Sequence, residues 1–201
     1  MYLKKILICV LLISCKQGYS QNRVNINIGD SSTPENSEVT LKLEHRFQHY
    51  NKSLNSNGDT YDRSINSPKS VNILTDKNKF YVHSLEGYTT SVYSTENFTK
   101  IKDIQHVFGK ENQHLFNEEE IENYTFRTKK RDFNYFKGKP VEGCFSHEGK
   151  YLWVTYYRRS YDSNAIDPSA VCIIDTDADS IIKILPTGAL PKMISCSPDN
   201  K

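Results

Sequence analysis

The chain has 201 residues, 37% of them hydrophobic and 25% charged, a balance that suits one globular domain or part of one and excludes a disordered polymer. Basic and acidic side chains number 26 and 24, a formal net charge of +2. Charge therefore makes neither nucleic acid nor an anionic membrane surface the main partner.

The first predicted element is an export signal. Lys4 and Lys5 precede an apolar run over residues 6–13, the charged-then-apolar order of a secretory signal and too short for a transmembrane helix. The run ends in Leu12-Ile13-Ser14-Cys15, which resembles the lipobox of bacterial lipoproteins. That resemblance implies a signal over 1–15, a diacylglycerol on the Cys15 thiol, and an exported protein held at the outer membrane or cell surface by its lipid anchor alone. The alternative is ordinary cleavage after Ser20, with Gly18 and Ser20 at the small-residue positions, and a periplasmic or secreted product. Cys9 lies in the signal, leaving Cys144, Cys172 and Cys196. An odd remainder without C-x-x-C spacing is neither a disulfide framework nor a zinc site. Apolar neighbours make each a small buried hydrophobe within a predicted strand.

Residues 16–66 read as linker and an early strand. Asn, Ser, Gln, Gly and Pro dominate 16–38 without a sustained period, as in a tether. Val39, Leu41 and Leu43 then alternate with polar residues, predicting a strand, and Asn57-Gly58-Asp59 is a turn signal.

From Pro68 onward the chain repeats. Pro68, Pro140 and Pro191 each open a predicted strand leading to a lysine, Lys79, Lys150 or Lys201. The segments before those lysines, Thr75-Asp76-Lys77-Asn78, Ser146-His147-Glu148-Gly149 and Ser197-Pro198-Asp199-Asn200, have the composition of tight turns. Beyond the turns, Phe80-Tyr81-Val82 corresponds to Leu152-Trp153-Val154, Val92-Tyr93-Ser94-Thr95 to Ile173-Ile174-Asp175-Thr176, and Ile101 and Ile104 to Ile182 and Leu185. Each unit thus has four strands, and the near-continuous apolar runs suit sheets covered on both faces. Four-stranded sheets stacked about an axis make a β-propeller.

Leu152-Trp153-Val154-Thr155, Ile173-Ile174-Asp175-Thr176 and the segment from Pro191 to Lys201 resemble the YVTN-type β-propeller repeat. This likeness to the YncE-like and lactonase-like secreted propellers implies an all-β fold. It divides the chain into a first blade over 68–109, an insertion over 110–139, a second blade over 140–190 and the start of a third over 191–201. Propellers carry about four to eight blades, so the expectation is an incomplete ring and a truncated or fragmentary chain.

In such a blade the first-to-second and third-to-fourth connections lie on one edge. The second-to-third connection and the crossover lie on the other. The long stretches at about 107–139 and 157–169 both belong to the second edge, and long loops on a rigid scaffold concentrate binding. The candidate ligand residues there are Tyr156, Tyr157, Arg158, Arg159, Tyr161 and Asp162. Arg can fork onto a carboxylate or phosphate, and Tyr can stack a sugar or peptide. The alternative is that Arg158 or Arg159 pairs with Asp162 or Asp167 and shapes the loop.

The acidic run from Glu118 to Glu122 reads as solvated surface or a short helix around 117–123. Phe133 and Phe136 read as pins holding that insertion to the propeller. His83, His106, His114 and His147 lack metal-site spacing, and no nucleophile elbow, P-loop or dinucleotide fingerprint occurs. No metal or cofactor is expected. Two classes of function follow: an envelope-anchored binding or scaffold module for a carbohydrate, peptide or envelope protein, which is favoured, or a propeller enzyme of the lactone hydrolase or quinoprotein-like oxidoreductase kind. The enzyme reading rests on fold analogy alone.

Overall fold

The computed structural model describes residues 26–49, 57–116, 136–159 and 169–200, without the side chains of Arg158 and Arg159. The expected signal, Cys15, the acidic run, Phe133, Tyr161, Asp162 and Asp167 lie outside the described residues.

The chain divides into two compact units, Met1–Glu44 and His45–Lys201. In the first, β1 (Ser31–Ser32) pairs antiparallel with β2 (Leu41–Lys42). The strand expected across Val39 to Leu43 is thus confined to two residues. The Val39 and Leu41 side chains are exposed.

The second unit opens with β3 (Arg46–Gln48) and β4 (Asp59–Tyr61), a parallel pair that alternation did not predict. The first blade follows: β5 (Pro68–Leu74), β6 (Lys79–Ser84), β7 (Thr89–Ser94) and β8 (Lys100–Gln105), a four-stranded antiparallel sheet in chain order. Its first connection is a single 3-10 turn, Thr75–Lys77, closed by Asn78 at φ 52°. Asn suits that left-handed position because its short polar side chain tolerates it.

After β9 (Val107–Phe108) and a 3-10 segment, Lys110–Leu115, the second blade is built from β10 (Phe136–Ser146), β11 (Tyr151–Arg159), β12 (Ser169–Asp175) and β13 (Ser180–Thr187). β9 adds to its edge, giving the order β13-β12-β11-β10-β9. The Ser146 to Lys150 turn takes positive φ at His147, Glu148 and Gly149.

Side chains alternate across each strand. In β12, Ala170, Cys172 and Ile174 are fully buried while Val171 and Ile173 on the other face are half-buried. The main core lies between the two sheets. The first blade contributes Leu74, Tyr81, Val92 and Ile104, and the second Leu152, Val154, Cys172, Ile174 and Ile184. The inner strands β5 and β10 run side by side, with Ser70 Oγ donating to the Val141 carbonyl at 2.5 Å and Asn72 Nδ2 to the Gly143 carbonyl at 2.8 Å. A Cβ at Gly143 would stand 2.7 Å from Asn72 Oδ1, so only glycine allows this approach. Successive four-stranded antiparallel sheets, packed face to face with adjacent inner strands, form an incomplete β-propeller.

On its other face the first blade carries a smaller core, in which Ile65 and Phe47 pack with Phe80, Val82 and Tyr93. The strand expected from Pro191 does not form, and residues 188–200 contain no strand. A strand needs a continuous neighbour to bond with. Here the segment has isolated bonds instead, from Thr155 Oγ1 to the Lys192 carbonyl at 3.1 Å and from the His147 amide to the Asn200 carbonyl at 2.9 Å. Cys196 therefore lies outside any strand, whereas Cys144 and Cys172 occupy β10 and β12.

Candidate functional site

Strand direction places the β6–β7 turn, the β8 to β10 connection and the β11 to β12 connection on one edge of the blades. At the inner end of that edge lies a cleft of about 400 Å³. It is lined by Ser67 and Lys69 at the start of β5, Leu85 and Glu86 in the β6–β7 turn, Val141 of β10, Tyr157 of β11, and Lys192.

The β6–β7 turn is shaped by its backbone bonds. The Leu85 amide donates to the Ser67 carbonyl at 3.0 Å, and the Glu86 and Gly87 amides share the Asn66 carbonyl at 3.2 Å. Gly87 is required, because a Cβ there would meet the Ser64 carbonyl at 2.7 Å. The turn presents Glu86 to Lys139, whose Nζ reaches both carboxylate oxygens at 2.8 and 2.9 Å. The Lys139 side chain is 6% exposed, so the pair is set into the edge rather than lying across it. Tyr88, at φ 52°, places its ring under Lys137 Nζ at 3.6 Å. Burial, and then the charge of Lys139, lower the Lys137 pKa against the opposing pull of Glu86.

Lys192 Nζ stands 5.2 Å from the Tyr157 ring centre, within cation–π range. Lys69 is exposed. The cleft thus brings two cations and an aromatic ring together, with its one carboxylate already held by Lys139. Such a site favours a ligand that has an anionic group next to a flat apolar surface.

The sequence-predicted residues separate here. Tyr157 lines the cleft. Tyr156, expected at the rim, is instead fully buried in the core, because adjacent residues of a strand point to opposite faces. Gly138 makes room for it, since a Cβ there would lie 2.6 Å from the Tyr156 ring. Arg159 is placed by backbone alone, opposite Gly138. Lys69, Glu86, Tyr88, Lys139 and Lys192 were not singled out from sequence. The available signal was topological, since Glu86 and Tyr88 lie in a turn of the same edge and Lys139 sits near the start of the inner strand β10. Phe136 does pin the insertion, stacking on Phe108 at 5.9 Å and meeting Phe116 edge-on at 6.0 Å.

Two histidines belong to a different structure, a buried chain of side-chain hydrogen bonds linking the blades. Asn72 Nδ2 donates to the Gly143 carbonyl, so its Oδ1 accepts from His83 Nε2 at 2.8 Å. His83 Nδ1 then accepts from Thr90 Oγ1 at 2.8 Å, Thr90 accepts from His106 Nε2 at 2.7 Å, and His106 Nδ1 accepts from the Tyr156 hydroxyl at 2.8 Å. Every proton points the same way along the chain, and both rings carry it on Nε2. Burial holds both histidines neutral by lowering their pKa to about 3. Burial also pushes the adjoining Cys172 thiol up to about 12. His83, Thr90, His106, Tyr156 and Cys172 have no exposed surface and the bonding capacity of the two rings is used internally, so the chain binds the blades together. Among the described residues, no group of three or more His, Cys, Asp or Glu side chains is gathered as a metal site, and no helix is long and apolar enough to cross a membrane.

No family model and no curated protein matches the sequence. Among solved structures, the chain is similar to the hydrazine synthase of Kuenenia stuttgartiensis, with 20% identity and a TM-score of 0.45 over 67% of this chain and 28% of that one. It is also similar to a 6-phosphogluconolactonase-like protein from Bacteroides uniformis, with 14% identity and a TM-score of 0.41 over 68% of this chain and 32% of that one. The chain thus spans less than a third of the length of either. The fold rests on the strand order and packing described above.

Proposed function

We propose that the protein is a propeller-type binding module anchored at the cell envelope through Cys15, and that the Lys69, Tyr157 and Lys192 cleft takes a ligand bearing a carboxylate. The cleft carries this reading. Two cations converge beside an aromatic ring on the edge from which both long connections leave, while the nearest carboxylate, Glu86, is neutralised by a sunken lysine. An acidic oligosaccharide fits this chemistry, with its ring on Tyr157 and its carboxylate between the lysines.

Titration calorimetry with tetragalacturonate is expected to give saturable binding that weakens with added salt. Lys192→Ala should weaken it about tenfold, the ~1.4 kcal/mol of one charge-assisted bond. Equal affinity in the variant would reject the cleft as the site. Anchoring is tested separately by the mass of the protein in detergent-extracted membranes, where Cys15→Ser should lose the acyl chains.

A further inference from the structure

The face of the first blade turned away from the second bears another concavity, of about 500 Å³, between β3–β4 and the β7–β8 turn. Its walls are aromatic. His45 stacks on Phe98 with ring centres 4.1 Å apart, Phe47 lies 4.4 Å from Tyr93, and Tyr61 is 41% exposed at the edge.

Phe98 is the most informative residue. It holds φ 58° where the chain turns into β8, its amide donating to the Ser94 carbonyl at 3.1 Å. The turn requires the left-handed region, which Gly or Asn enters easily and a bulky aromatic residue does not. A strained aromatic is therefore held where an unstrained residue would have closed the same turn, and its ring faces the groove. Strain of this kind clusters at ligand sites.

The Lys100 and Asp62 charges of the groove are matched internally, and exposed Arg63 adds one further cation to its wall. Lys100 Nζ lies 2.8 Å from Asp62 and 2.7 Å from Asp103, and Asp62 also accepts from the Tyr93 hydroxyl. Exposed Asn57, Thr60 and Asn97 add neutral hydrogen-bonding groups to the lining. Flat rings with neutral amides and hydroxyls at their margin match a pyranose, whose C–H face lies on an aromatic ring while its hydroxyls bond outward. A single-stranded nucleic acid would need a row of uncompensated cations along the groove, and beside the paired Lys100 the lining holds one arginine, Arg63.

We infer that this groove binds a neutral pyranose unit of a polysaccharide, stacked between Tyr61 and the His45–Phe98 pair. The site is separate from the carboxylate-binding cleft and does not depend on it.

The test is titration of the full chain with cellohexaose, mannohexaose, xylohexaose and chitohexaose. At least one should bind saturably at millimolar concentration or below, with Tyr61→Ala and Phe98→Asn each weakening it about tenfold or more and Lys192→Ala leaving it unchanged. Phe98→Asn keeps the left-handed backbone while removing the ring, so its melting temperature should equal or exceed the parent's. Should it fall, Tyr61→Ala, whose ring is exposed, decides alone. Failure of all four sugars to bind overturns the proposal, as does binding that ignores both ring variants or vanishes with Lys192→Ala. Displacement of the sugar by oligo-dT at equal concentration would overturn it in favour of a nucleic-acid site.

Discussion

His83 and His106 use both ring nitrogens within a path from Tyr156 to Asn72, and protonating either ring at Nδ1 would force the Thr90 or Tyr156 hydroxyl to turn its proton away and lose the bond it donates. Their folded pKa values, about 3, lie below the ~6.5 of an unfolded histidine. The unfolded chain therefore binds more protons between those values. The stability from the neutral rings is complete above pH ~6.5 and is lost as pH falls, by ~1.4 kcal/mol per pH unit for each histidine. Urea midpoints should drop steeply between pH 7 and pH 5, and His83→Gln should flatten that dependence by about half. An unchanged slope would mean that His83 titrates normally. The sequence displayed these histidines without their role, because the bonds join distant residues, His106 to Tyr156 across 50 positions and Asn72 to Gly143 across 71, and spacing reports only local neighbours. Asn78, by contrast, was legible as a turn residue, since its left-handed backbone is a local property.

The two turns opposite the cleft clasp each other across the blade interface. Lys77 Nζ meets Asp177 and Thr176 Oγ1, each at 2.6 Å. Beneath them Lys79 Nζ meets Asp179 at 2.7 Å, and the Tyr81 hydroxyl donates to the other Asp179 oxygen at 2.7 Å. Burial and the Asp179 charge raise the Tyr81 pKa, keeping the phenol a donor. The pairs differ in exposure, 17% and 6% for Lys79 and Asp179 against 26% and 69% for Lys77 and Asp177. Removing Asp179 would leave a cation and a phenol without their partner in a largely dry site, so Asp179→Ala should cost about 3 kcal/mol. Asp177→Ala should leave the denaturation midpoint unchanged, because water replaces the lost contact. Equal losses would show that burial does not govern the clasp. The Thr75–Asn78 turn could be found from the repeated composition before each lysine. The mutual contact of the two turns could not, since blade packing alone brings positions 77 and 177 together.

Across the whole molecule, one continuous core and one hydrogen-bonded chain join the two blades. Amide protection in β5–β8 and β10–β13 should accordingly disappear at the same denaturant concentration, and a blade that loses protection first would contradict that coupling. The all-β class, the four-strand unit, the tight turns and the edge bearing the long connections were all determined by the sequence itself, because alternation, turn chemistry and strand direction are local or topological. Tertiary structure alone decided that Tyr156 faces the core while Tyr157 faces the cleft. It also decided that Lys69, Glu86, Lys139 and Lys192 meet there, that Pro191 opens no strand, and that Phe98 faces a second groove. Each of these depends on which surface another segment covers, and that is settled only when the sheets pack.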